Sequence, residues 1–190
     1  MKLKQKIANC DVCRAKLELG PRPVLNFHKN SKIAIIGQAP GKAVHLSGIP
    51  WDDKSGYNLR KWLGVSDETF YNSEQIALIP MGFCYPGKGK SGDLPPTKEC
   101  APQWHNSVFN EMKKLELVIL IGTYAQNYYL KDKKKRTLTD TVMAFEEYLP
   151  EFFVLPHPSP RNNIWKAKNK WFALNILPIL KLKVEEILST

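Results

Sequence analysis

Four short apolar runs constrain this chain more than anything else in it: Lys32–Ile36, Ile76–Pro80, Leu117–Ile121 and Phe152–Leu155. Each is rich in Ile, Val, Leu or Phe and is bounded by turn-forming residues, the pattern of a strand buried on both faces. The stretches between them read as helices, namely Gly56–Leu63, Ala101–Lys114, Thr123–Leu130 and Asp140–Tyr148. The tail Asn169–Leu188 is apolar at helical spacing, with Pro178 marking a kink or a break. Alternation of strand and helix predicts a three-layer α/β/α fold around a central four-stranded parallel sheet. A length of 190 residues suits one domain, residues 1–190, with no internal repeat. Tyr85–Glu99 holds three Gly and three Pro and is expected to be irregular, a loop long enough to need fastening.

The formal net charge is +10, from 28 Lys+Arg against 18 Asp+Glu. Such a balance fits a polyanionic partner, nucleic acid first, although basic proteins also exist that are basic only for solubility. Placement separates two clusters. Lys131, Lys133, Lys134, Lys135 and Arg136 read as a solvated loop, whereas Arg161, Lys166, Lys168 and Lys170 interleave with Trp165 and Trp171 beside a motif. No run approaches the roughly 20 apolar residues of a membrane helix. The basic start, Met-Lys-Leu-Lys-Gln-Lys, is followed by no apolar signal core. The chain is therefore expected in the cytoplasm, where paired cysteines hold metal more often than they form disulfides.

In parallel sheets ligands bind at the carboxyl ends of the strands. Two distinctive loops fall there: G-Q-A-P-G at Gly37–Gly41 follows the first strand, and H-P-S-P-R-N at His157–Asn162 follows the last. The glycines and proline of the first permit close backbone approach to a ligand and aim peptide N–H groups outward. Four cysteines form two pairs, C-x-x-C at Cys10 and Cys13, and Cys84 and Cys100 with fifteen residues between them. Brought together they supply the ligand count of an iron–sulfur cluster or a tetrahedral zinc site; kept apart they are four unconnected thiols.

These motifs resemble those of the uracil-DNA glycosylase superfamily. G-Q-A-P-G is similar to the first motif, written G-E-A-P-G in family 4 and G-Q-D-P-Y in family 1. G-I-P-W-D-D-K-S-G at Gly48–Gly56 resembles the family-4 stretch G-x-P-F-x-G-x-A/S-G, and H-P-S-P-R-N resembles the second motif of the single-strand-selective monofunctional uracil-DNA glycosylases. The cysteine spacing is similar to that with which family 4 holds a 4Fe-4S cluster, zinc being the alternative. The resemblance runs from Cys10 to about Leu180 in the family's order. It implies a DNA glycosylase of base-excision repair, acting as a monomer on DNA and hydrolysing the bond to a flipped-out uracil or another deaminated base. It implies that Gly37, Gln38, Ala39 and Pro40 wall the base, that Trp51 stacks on it, and that His157 bonds its carbonyl. Ser159 would bind phosphate, Arg161 and Asn162 would enter the duplex, and Lys166 and Lys168 would add DNA contacts. For Trp51 a plain core role is the competing reading.

The chain also departs from the family. Gln38 and Ala39 stand where family 4 has Glu and family 1 has Asp, and neither is a base; Pro80 replaces the base-reading Asn. Gln38 and Asp53 join His157 as catalytic candidates, Asp53 to orient water or to serve as an ordinary surface carboxylate. A catalytically weak or inactive DNA- or nucleotide-binding module is the rival reading. A phosphate-handling hydrolase is disfavoured by the lack of a Walker lysine pattern, and His28, His45 and His105 read as surface or packing residues.

Overall fold

The computed structural model describes residues 2–189. In chain order, α1 (Leu3–Ala8) precedes β1 (Ile33–Gly37). Next come α2 (Lys42–Ser47), α3 (Lys54–Leu63), α4 (Asp67–Tyr71) and β2 (Ile76–Pro80). The short strands β3 (Lys88–Gly89) and β4 (Gly92–Asp93) lead to α5 (Asn106–Glu111), β5 (Leu117–Ile121) and α6 (Gly122–Leu130). The chain ends with α7 (Leu138–Met143), β6 (Phe152–Leu155), α8 (Asn163–Lys168) and α9 (Leu177–Ser189).

The main sheet has the order β2-β1-β5-β6 and every pairing is parallel. Ile33 stands beside Ile76 on one side and Leu117 on the other, so three apolar runs share one register. All five residues of β1 and of β5 are buried, which explains why these runs show no polar alternation. Helices flank the sheet in the expected three-layer α/β/α arrangement. The outer edge of β2 is not left bare: Asn26 exchanges two backbone hydrogen bonds with Leu78, at 3.0 and 2.7 Å.

Helix boundaries follow capping chemistry more than apolar spacing. The Asp53 side chain accepts from the Gly56 N–H and starts α3, and Gly64 ends it at φ 72°. Thr137 caps α7 in the same way, so this helix starts before the expected Asp140 and gives way to a 3₁₀ turn at Phe145–Tyr148. Pro178 breaks nothing. It occupies the first turn of α9, where its missing N–H is tolerated, and the residues before it, Phe172–Ile176, widen into a π-turn. The expected helix Ala101–Lys114 likewise divides into a π-turn at Ala101–His105 and α5. Tyr85–Glu99 is not wholly irregular. Lys88 pairs with Asp93 and Gly89 with Gly92, forming a hairpin about Lys90 and Ser91. Two-residue strands leave no alternation to read.

Candidate active site

A cleft of about 480 Å³ opens at the carboxyl ends of β1, β2 and β6, within the range of small-molecule sites. The turn after β1 forms its floor: Gly37, Gln38, Ala39, Pro40 and Gly41 all line it. That turn is fixed from behind, because Met81 N–H donates to the Gly37 carbonyl at 2.9 Å and Gly82 N–H to that of Gln38 at 3.0 Å. Pro80 also lines the cleft, and its carbonyl meets Nε2 of buried His105 at 3.1 Å. Burial pushes His105 down to about 4, so it is a neutral packing residue, as its isolation in the sequence implies.

Trp51 and His157 enter this cleft from sequence positions 106 residues apart. Their ring centroids are 5.8 Å apart with the planes tilted by 31°. A flat ring needs about 7 Å to slip between two others, so the gap between these rings is too narrow to hold one sandwiched. Trp51 is half-buried and adopts the left-handed φ of 59°, rare for a bulky residue. Three features hold it there. Gly37 leaves room for the indole, since a Cβ at Gly37 would lie 2.7 Å from the six-membered ring. Gly56 passes beneath the Trp51 carbonyl, where a Cβ would stand 1.8 Å from the oxygen. The Tyr71 hydroxyl reaches that carbonyl at 3.5 Å and is itself met by Arg60 at 3.2 Å.

His157 is fixed equally tightly. Its Nδ1 accepts the Ser159 backbone N–H at 3.2 Å, which leaves the ring proton on Nε2 as a donor. Burial lowers the pKa of the imidazole, with the Asp53 charge opposing it, so the ring is neutral at neutral pH. Asn162 Nδ2 donates to the His157 carbonyl at 2.8 Å, and Asn58 Nδ2 to that of Pro158 at 2.9 Å.

The remaining candidates divide. Asn162 lines the cleft, but its amide is committed to its own loop. Arg161 turns across the cleft mouth, where Nη1 donates to the Ser91 carbonyl at 3.1 Å and lies against Gly92. Ser159 lines the cleft and its hydroxyl accepts the Arg161 N–H at 3.3 Å. Lys166 lies with its ammonium 5.9 Å from the Trp62 ring, and Lys168 is exposed at the end of α8. Asp53 lines the cleft, with one of its oxygens occupied 2.8 Å from the Gly56 N–H. Arg161 and Asn162 are thus each engaged by a backbone carbonyl; just after them, in the first turn of α8, Ile164 is 72 % accessible.

The family model of the uracil DNA glycosylase superfamily matches residues 25–181, which include every residue of this cleft except Val24. The chain belongs to the uracil-DNA glycosylase superfamily. The superfamily match also contains Cys84 and Cys100 but stops short of Cys10 and Cys13, so the N-terminal pair stands outside what it explains.

All four cysteines nonetheless line one small second pocket, roofed by Leu17, Phe83 and Trp104. They are free thiols, three buried and Cys10 half-buried. Burial pushes the Cys84 thiol up to about 11, and the other three cysteines add to the rise. Four gathered thiols are the donor set that a cationic centre would convert to thiolates. Lys16 and Glu99 pair across the same junction, fastening the N-terminal arm to the loop before Cys100. Among the described residues no three His, Cys, Asp or Glu converge as a single-ion site requires. Ser91, Gly92 and Asp93 at the cleft mouth were missed from sequence, because the hairpin that brings them there carries no periodic signal.

Proposed function

We propose that the protein is a monofunctional DNA glycosylase that hydrolyses the N-glycosidic bond of a flipped-out uracil or other deaminated base. The observation that carries this reading is the meeting of Trp51 and neutral His157 in one cleft floored by the Gly37–Gly41 turn. A duplex hides the bond, so the base must be extruded at a cost of a few kcal/mol. Stacking on Trp51 returns about 1–3 kcal/mol of it. Bond breaking leaves negative charge on the base, and the Nε2–H of His157, with the turn's backbone N–H groups, meets that charge where it develops. Lys is absent from the described residues lining the cleft, so no amine stands ready to form a Schiff base and cut the strand. Ile164, with Ser159, Lys166 and Lys168, would engage the strand in place of the pinned Arg161 and Asn162.

The reading sets the chain nearest the family-4 branch, with Cys10, Cys13, Cys84 and Cys100 holding a 4Fe-4S cluster. Such a cluster spreads its thiolates over four irons and would act as a structural staple; zinc is the other candidate. Anaerobically purified protein is expected to be brown, with about four irons per chain, and Cys84→Ser is expected to lose the visible absorbance and the iron. A colourless protein with stoichiometric zinc would overturn the cluster assignment.

A binding module without activity is favoured by one observation: Gln38, Ala39 and Pro80 line the cleft where the family has groups that activate water and read the base. Oligonucleotides carrying uracil, hypoxanthine or xanthine, single- and double-stranded, decide between the two. Incubation and then alkali should cut at least one of them at the damaged position, with none cut before alkali. Tight binding with no alkali-labile site in any oligonucleotide would establish the module instead.

A further inference from the structure

Gln38 and Ala39 provide no base, and Asp53 has one oxygen committed to capping α3. Among the described residues one other carboxylate lines the cleft: Asp93, the last residue of β4. Its Oδ2 lies 3.4 Å from the place a Cβ would take on Gly41, so the carboxylate rests against the glycine turn that floors the site.

The residues around Asp93 brace the hairpin that carries it. Tyr85, only 3 % exposed, lies close enough to Asp93 for the carboxylate to act on its phenol. Burial, then the charge of Asp93, raise the pKa of this phenol, which keeps it a donor. Arg161 holds the hairpin turn through the Ser91 carbonyl. The hairpin base is closed where Leu94 N–H donates to the Gly87 carbonyl at 2.9 Å. A loop between the third and fourth cysteines thus delivers an acid to the cleft.

We propose that Asp93 is the general base of the reaction, an assignment that rests on the glycosylase reading of the same cleft. Asp93 accepts a proton from water as the water oxygen bonds to C1′ of the sugar. The C1′–N bond breaks and its electron pair leaves with the base, which His157 holds through Nε2–H. The freed base takes a proton from solvent, and Asp93 returns its own to solvent, so one water is divided between sugar and base. Tyr85, beside the carboxylate, and Arg161, through the hairpin turn, are positioning residues.

The test is single-turnover excision by wild type, Asp93→Asn and Asp93→Ala on whichever oligonucleotide the wild type cleaves. Both variants should lose about 10²–10⁴-fold in rate, the range of general-base catalysis, with DNA affinity within about threefold. Sodium formate should restore Asp93→Ala by about tenfold or more, because a small carboxylate can enter the space left. It should do nothing for Asp93→Asn, where the amide fills that space. Excision by Asp93→Ala within about threefold of wild type, or a loss that formate leaves untouched, overturns the assignment while leaving the glycosylase reading standing. A wild type that excises none of the bases overturns both. The isosteric Asp93→Asn keeps the hairpin filled, so its rate loss with a native melting curve separates chemistry from folding.

Discussion

Replacing His157 by alanine should lower single-turnover excision about 10²–10³-fold while changing DNA affinity by less than about threefold. Nε2–H is the donor that the Ser159 N–H, by occupying Nδ1, forces to point elsewhere than its own loop. In the proposed reaction it meets charge that exists only as the bond breaks, so the loss should fall on the rate and not on binding. The same geometry fixes a pH response. Burial holds the imidazole below its ordinary value, so the neutral ring persists as pH falls past about 6.5 and is lost only lower down. Protonation would place a second proton on Nδ1, facing the Ser159 N–H. The wild-type rate should therefore be nearly the same at pH 7.5 and 6.5. A histidine-dependent rate that halves at or above pH 6.5, or a His157→Ala variant as fast as wild type, would remove this residue from the role assigned to it.

Gly56→Ala should destabilise the fold by about 3 kcal/mol in urea titration, with the m-value unchanged. The sign is the informative part. Alanine ordinarily stabilises a helix by about 1 kcal/mol relative to glycine. Here the added Cβ would stand 1.8 Å from the Trp51 carbonyl oxygen and 2.8 Å from the Trp51 Cβ. A Cβ has no rotamer through which to escape. Trp51 cannot retreat either, being held at φ 59° with its indole against Gly37. The first turn of α3 must open or Trp51 must leave the cleft, so the variant should lose excision as well as stability. A variant as stable as wild type, or more so, would mean that the seat of Trp51 is looser than described.

The buried strands were legible because a strand covered on both faces writes itself as a continuous apolar run: three of the four runs match β2, β5 and β6 to the residue, and the fourth is displaced from β1 by one. Loops after β1 and β6 were legible because glycine, proline and histidine have few other reasons to cluster at strand ends. What escaped was set by tertiary contacts. Arg161 reads as a DNA contact until a hairpin 70 residues earlier takes its guanidinium. Asp53 reads as a free acid until its helix claims an oxygen, and Asn162 as a free amide until the His157 carbonyl does. Asp93 gave no signal at all, since only the fold of Tyr85–Glu99 carries it to the Gly41 turn. Helices α1, α2, α4 and α8 escaped because each has six residues or fewer, too short to show a period.

The most direct measurement is a crystal structure of the protein with an oligonucleotide whose target nucleotide carries a 2′-fluorine, which slows departure of the base and traps the intact substrate. The extruded base should lie flat on the Trp51 indole, over the Gly37–Gly41 turn, with a carbonyl edge within hydrogen-bond distance of His157 Nε2. A base that stays stacked in its strand, or that occupies any other face of the molecule while the cleft is empty, would contradict the account.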